Sequence, residues 1–324
     1  MTQYGVGSTE PSRRSGGFAA RTAGETVACL AGDGVGPELM AAATRALDRV
    51  AELHSFRLDD VHLPFAGEGV TRSGHPLPAE TRAGYRHADA ILVASPDEPA
   101  LEGVKADLQL AWRAARVQLH GGGDLFVAGP VGDWANTIAV GRAFASAASR
   151  RGRVLSVGDT TAWSVAIDAE RPRWSGLEVE AASLGEALIR LRERPESLDV
   201  IVTEAHFVGA VIDAAAHFAG SRASVAQAWL PDEGPGVFFP GASESDDVAG
   251  FGVVDPKGML LATSLMLAEG LKRRSASRTL ERAVGAVVSR TGPSAHDTRS
   301  FTDAVIELLP QARTDVEHFD EVWR

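Results

Sequence analysis

Apolar residues run along the chain in two alternating textures. Short, nearly continuous runs, ETVACLAG at 25–32, ADAILVAS at 88–95, RVLSVGD at 153–159, LDVIVTE at 198–204 and GFGVVDP at 250–256, each close on turn residues. That pattern predicts buried strands. Between them lie stretches with apolar residues at helical spacing. Leu39, Ala42, Ala43, Leu47 and Val50 follow the glycine-rich GDGVGPE, and TIAVGRAFASAASRRG and GEALIRLRERP repeat the pattern. Pro37 suits a first helical turn, and Glu38 complements its positive end. KGMLLATSLMLAEGLKRR and SRTLERAVGAVVSRTG predict two more helices, with Met259 and Met266 in the core. Strands alternating with helices point to an α/β architecture. Residues 1–24, rich in Gly, Ser, Thr and Arg and without periodicity, predict a flexible tail.

With 324 residues, 44% of them hydrophobic, the chain can fill one large core or two modest ones, and its length favours two lobes. A net charge of -11 argues against binding the phosphate backbone of nucleic acids, which needs basic stripes. Lys272-Arg273-Arg274 reads as a solvated helix end. The one cysteine, Cys29, sits in the apolar TVACLAG, so it reads as a small buried hydrophobe and offers neither a disulfide nor a cysteine metal site. No apolar segment reaches about 18 residues and the start lacks a signal-peptide core, so the expectation is a cytoplasmic protein without membrane contact.

A glycine-rich strand-to-helix turn is by itself a weak signal, and GDGVGPE has neither the dinucleotide nor the phosphate-loop spacing. In order along the chain, however, GDGVGPE, GHPLPAET (74–81), HADAILVAS (87–95) and VVDPKGMLLATSLML (253–267) resemble the isocitrate and isopropylmalate dehydrogenase family over roughly 28–275. The resemblance implies a two-lobed α/β fold with a cleft between the lobes. Residues 25–100 plus 229–324 would form the large lobe, and 101–228 the small lobe with substrate and dimerisation elements. It also implies a homodimer and NAD- or NADP-linked oxidation and decarboxylation of a 2-hydroxy acid beside Mg²⁺.

Motif by motif, the chemistry of that family is replaced. VKADLQLAWRAARVQL (104–119) takes the place of its substrate-holding helix, and Arg113 matches the second arginine there, suited to gripping a carboxylate. The first arginine falls near Gly103 to Lys105. HGGGDLFVAGPVGDWANTIAV (120–140) stands where the family has its tyrosine acid, yet the only tyrosines are Tyr4 and Tyr85. SVGDTTAW (156–163) replaces S-V-D-K-A-N, with Asp159 or Thr160 at the lysine. In TEAHFVGAVID (203–213) the metal aspartates reduce to Asp213; Gly209 takes the other, and the aspartate a partner subunit lends falls at Gly185. FFPGASESDDVAG (238–250) aligns with F-E-P-V-H-G-S-A-P-D-I-A-G and carries Phe239 and Ala242 for the glutamate and histidine. Asp247 stays where an aspartate meets a cofactor ribose, while Glu244, Asp246 and Asp247 repel a pyrophosphate.

The leading expectation is a cleft repurposed for another small-molecule reaction, in bacterial specialised metabolism. Asp159, Glu204 and His206 would do its acid–base work, with Arg113, Thr160 and Trp163 against the substrate. Glu204, His206 and Asp213 form an alternative mixed metal set. Two other readings stand beside it: a non-catalytic pseudo-dehydrogenase that binds or scaffolds, and an NAD(P)-dependent 2-hydroxy acid dehydrogenase with substituted residues. Convergence of Asp159, Glu204 and His206 favours catalysis. A cleft plugged by Phe207, Phe239 or Trp163 favours a scaffold.

Overall fold

The computed structural model describes residues 24–119, 123–241, 246–291 and 297–322. The expected tail up to residue 23, His120 with Gly121 and Gly122, and the stretch holding Ala242 and Glu244 lie outside the described residues. The chain opens with β1 (Glu25–Leu30), α1 (Gly36–Leu53), β2 (Leu58–His62), α2 (Gly67–Ser73), α3 (Ala79–Arg86), β3 (Ala90–Val93) and α4 (Glu98–Asp107). It continues with β4 (Trp112–Gln118), β5 (Asp124–Pro130), α5 (Asn136–Ala148), β6 (Arg153–Val157), α6 (Thr161–Glu170), β7 (Glu178–Ala182), α7 (Leu184–Glu193), β8 (Val200–Thr203) and α8 (Val208–Phe218). It closes with β9 (Val225–Leu230), β10 (Gly236–Pro240), α9 (Lys257–Leu265), a π turn over Met266–Gly270, α10 (Arg274–Thr291) and α11 (Thr298–Val322).

All ten strands form one sheet in the order β2-β1-β3-β10-β9-β4-β5-β8-β6-β7. Both flanks are parallel, as crossover helices require, and the centre from β10 through β9 and β4 to β5 is antiparallel. Helices cover both faces. One face packs α1, α5, α6, α9, α10 and α11 into the principal core, while α7 and α8 bury a second cluster with Val117, Val127 and Ile201. A third cluster lies under α3 and α4.

The opening GDGVGPE is a turn with structural contacts of its own. Gly32 has a φ of +74°, and a Cβ there would fall 2.2 Å from the Ser95 carbonyl oxygen, so only glycine lets β1 turn this close to the end of β3. Asp33 accepts from the Gly67 N–H at 2.9 Å, and Glu38 from the Gly250 and Gly252 N–H groups at 3.3 and 3.1 Å. The acids of the motif are thus engaged by their own chain.

Two expected elements differ. The helix expected over 104–119 ends at Asp107; Gln109 takes a φ of +51°, which no helix continues through, and the chain turns into β4. Arg113 is therefore a strand residue. GFGVVDP is no strand, because Gly250 and Gly252 adopt φ values of +79° and +69° to present their amides to Glu38.

Candidate functional site

Strands β6 and β8 are parallel neighbours, with Val157 opposite Thr203. From their carboxyl ends the chain leaves in opposite directions. After β6 it enters α6, whose Trp163, Ala166 and Ile167 join the core on the α5 face. After β8 it enters α8, whose Val208, Val211 and Ile212 join the cluster on the α7 face. Such a divergence opens a crevice between two strand ends, where open α/β sheets place their ligands.

Asp159 and Thr160 form one lip of that crevice, and Glu204 and His206 the other. One ligand atom each from Asp159, Glu204 and His206 lies within 4.8 Å of the others, the one such group among the described residues. Glu204 is 2% exposed. Its Oε1 accepts from the Thr160 N–H at 2.9 Å and from the Thr160 hydroxyl at 2.5 Å. Its Oε2 is buried without a hydrogen-bond partner and sits 3.5 Å from Nε2 of the half-exposed His206. A buried carboxylate oxygen left without a donor is costly, and the His206 ring nitrogen is the polar group set beside it. The His206 ring rests on Phe207, with centroids 3.9 Å apart.

The second tier holds the first. The Thr160 hydroxyl also accepts from the Trp163 N–H at 3.2 Å, capping α6, so it is fully engaged within the chain. Trp163 is buried and donates its indole N–H to Ser156 Oγ at 3.0 Å, which places its ring in the core. Gly158 fits between them: a Cβ there would fall 2.3 Å from the Trp163 ring and 2.8 Å from Glu204 Cγ.

Arg113 joins the same edge of the sheet. Pairings run from Trp229 on β9 to Arg113 on β4 and on to Gly129 on β5; there the register continues, from Ala128 to Val202 on β8, beside Thr203. With strands about 4.8 Å apart, Arg113 and Thr203 are roughly 10 Å apart along the backbone row. Arg113 is half-buried, its Nε is buried without a partner, and its guanidinium lies 6.0 Å from the centroid of Trp229. Burial lowers its pKa, against the pull of Asp213 and Glu102. The Lys105 ammonium lies 5.5 Å from the centroid of the same ring, so two cations share one aromatic side chain.

The remaining expected site residues lie apart from this cluster. Asp213 is exposed and pairs with Arg222 at 3.1 Å, so Asp159 rather than Asp213 completes the group with Glu204 and His206. Asp247 is exposed in the short turn over Asp246–Val248. Phe239 is buried, edge-on to Trp229 at 5.3 Å. Tyr85 donates to Asp107 at 2.5 Å, deep under α3, and burial followed by that carboxylate pushes its phenol well above the usual range. Sequence reasoning missed Gly158 and Trp229: the first looked like any post-strand glycine, and the second lies on a strand that was not foreseen.

Similarity to known proteins bears on the fold and the family. The sequence profile described as isocitrate/isopropylmalate dehydrogenase matches residues 26–121 and 136–307. The 3-isopropylmalate dehydrogenase of Synechococcus sp. (strain CC9902) is 30% identical over 329 positions, covering 82% of this chain and 92% of that one. The apo structure of a beta-decarboxylating dehydrogenase from Thermococcus kodakarensis superposes with a TM-score of 0.75 at 23% identity, covering 93% of this chain and 99% of that one. An isocitrate dehydrogenase from Methylococcus capsulatus gives 0.73 at 18% identity, over 88% and 99%. The last two similarities speak to the fold alone; the profile and the Synechococcus relative establish that the chain belongs to the isocitrate/isopropylmalate dehydrogenase family.

Proposed function

We propose that this family member has had its reaction centre rebuilt around Glu204 and catalyses proton transfer on an anionic small molecule. The observation that carries this reading is the convergence of Asp159, Glu204 and His206 on one crevice, with Glu204 Oε2 unpartnered. Arg113 holds the substrate carboxylate, Lys105, itself paired with Glu102 at 2.9 Å, adds positive charge at the Trp229 ring, Glu204 fixes the imidazole, and the half-exposed His206 moves the proton. Asp159, at the rim, sets the local charge. This division of labour needs neither the tyrosine nor the lysine of the family pattern.

The divalent-ion position of the family pattern is not kept, and the family's cofactor does not fit the residues present. A hard dication takes several oxygen ligands, whereas Asp213 is paired with Arg222 and Gly209 offers no side chain. On the cofactor side, Phe239 is packed against Trp229, and the Asp255 carboxylate accepts from the Lys257 N–H at 2.8 Å.

A second reading, a 2-hydroxy acid dehydrogenase with substituted residues, is favoured by the names of the relatives and by the two cations at Trp229. Calorimetric titration with NAD and NADP, each with Mg²⁺ and a 2-hydroxy diacid, separates the two. The proposal expects no heat of binding. In parallel, a panel of 2-oxo and 2-hydroxy acids incubated in D₂O is followed by NMR for deuterium entering C3 of the 2-oxo acids or C2 of the 2-hydroxy acids. Exchange by the wild type and its loss in Glu204→Gln and His206→Ala is the expected result. Cofactor reduction without such exchange sinks the proposal, and absence of both leaves the scaffold reading.

A further inference from the structure

A cavity of about 770 Å³ bordered by the described residues lies away from the crevice, at the opposite end of the strands. Gln118 at the end of β4 and Asp124 at the start of β5 border it, whereas the crevice opens at the other ends of β5, β6 and β8. Along β4, Arg113 and Gln118 are separated by about 17 Å. The volume falls in the range of small-molecule sites.

Lys257 gives this cavity its chemistry. It is 3% exposed and the first residue of α9, and it lines the cavity. Its backbone N–H donates to Asp255, while its ammonium has no hydrogen bond or ion pair among the described residues. A buried cation without a counter-ion is unfavourable, and doubly so at the positive end of a helix. From α10, Arg278 and Arg282, one helical turn apart, line the same cavity. Arg282, too, is unpaired among the described residues.

The two acids of the wall are already committed. Glu281 pairs with Arg116, and Asp124 is shared between Arg116 at 3.5 Å and Arg150 at 2.6 Å. Lys257 and Arg282 are the charged side chains of this lining without a partner among the described residues, in a chain whose net charge is -11. The apolar part of the lining comes from Leu119, Leu261 and Val288.

We propose that this cavity is a second ligand site, independent of the Glu204 crevice. Its ligand is a small molecule with one carboxylate or phosphate set against Lys257 and Arg282, and a short apolar body over Leu119, Leu261 and Val288. The little-exposed Lys257, its ammonium unpaired among the described residues, lining this cavity beside Arg282 is the juxtaposition that assigns it.

The test titrates the full chain by calorimetry with acetate and hexanoate in one arm, and inorganic phosphate and hexyl phosphate in the other. One molecule per chain should bind, with a six-carbon ligand at least about tenfold tighter than its short counterpart. The stronger arm identifies the head group. Lys257→Met should raise the thermal midpoint of the ligand-free protein, because it removes a buried unpaired charge, and weaken binding at least about tenfold. Lys257→Arg should keep the affinity. If Lys257→Met does not fold, Gly285→Leu, which fills the cavity from α10, should abolish binding instead. No saturable binding in either arm at millimolar ligand, or full affinity retained in the Lys257→Met or Gly285→Leu variant, overturns the proposal. Loss of the Glu204 chemistry leaves it standing, since the two sites share no residue.

Discussion

Adding one methyl group at Gly158 should disturb the crevice without removing a titratable group. A Cβ at this position lies 2.3 Å from Trp163 Cδ1, 2.7 Å from its Nε1 and 2.8 Å from Glu204 Cγ. Non-bonded carbons settle at about 3.5–4.0 Å, so the indole edge and the Glu204 stem must each retreat by about 1 Å. Neither has room. Trp163 is 2% exposed, packed in the principal core and held by Ser156, while Glu204 is pinned by two hydrogen bonds from Thr160. Overpacking of this kind costs ~1–3 kcal/mol, and a strained indole hydrogen bond adds ~1 kcal/mol. Loss of glycine freedom in the unfolded chain returns ~0.4–1 kcal/mol. Gly158→Ala is therefore expected to destabilise the protein by about 2–3 kcal/mol. Urea unfolding reads this as a lower midpoint at unchanged slope. Trp163→Leu, which removes the obstructing ring, should recover part of the loss in the double variant, a coupling of ~1 kcal/mol or more. A Gly158→Ala protein within ~0.5 kcal/mol of the wild type, the spread of neutral surface substitutions, would falsify the packing account, as would a double variant whose losses simply add.

Glu204 offers a second contrast. Glu204→Ala strips two charge-assisted hydrogen bonds from the start of α6 and should cost about 2–4 kcal/mol, whereas Glu204→Gln keeps an acceptor for Thr160 and should stay within ~1 kcal/mol of the wild type. Equal losses for the two in denaturant melts would mean that Glu204 does not anchor Thr160. At acid pH the relevant group is Asp124: burial raises its pKa, but Arg150 and Arg116 outweigh this and hold it below the ordinary value. The stability it contributes is complete above its unfolded pKa, about 3.9, and is lost as pH falls through the folded value. The gap between wild type and Asp124→Asn should accordingly be constant near neutrality and narrow below about pH 4; a gap that widens there contradicts the pairing. Cys29 is 1% exposed, and burial, ahead of Asp60 and Asp48, pushes its thiol up to about 12. A disulfide reagent at pH 8 should modify it only as fast as the protein opens, and rapid labelling of the native state would disprove its burial.

The alternation of apolar runs and helical spacing made the parallel flanks of the sheet legible, because β1, β3, β6 and β8 are short, doubly covered strands with continuous apolar sequence. The antiparallel centre was not legible for a physical reason. β4 carries Arg113 and Arg116 on opposite faces, each matched by a partner element rather than by water, so its pattern fits neither period. In the site, Asp159, Glu204 and His206 could be named because each follows an apolar run that ends in a turn, where α/β sheets gather their chemistry. What local sequence does not encode is the pairing of Val157 with Thr203, which brings those two strand ends together. Asp213 stood with Glu204 and His206 in the alternative metal set, but the turn of α8 carries it to Arg222. Lys257 had a visible signal that went unread: a single charge opening the apolar KGMLLATSLML.

The single ten-stranded sheet also constrains the order in which the molecule can be made. Ala90–Val93, four apolar residues, take β1 as one neighbour early, but their other neighbour is residues 236–238, and Trp112–Val117 wait for residues 225–230. On the ribosome the middle of the sheet therefore remains open-edged until most of the chain has emerged. Unpaired apolar edges of this kind recruit one another between nascent chains. Yield of folded protein should consequently depend on translation speed and on chaperones that shield strand edges. Shortened chains that stop before Gly236 should accumulate as insoluble material, whatever their own helices are able to bury.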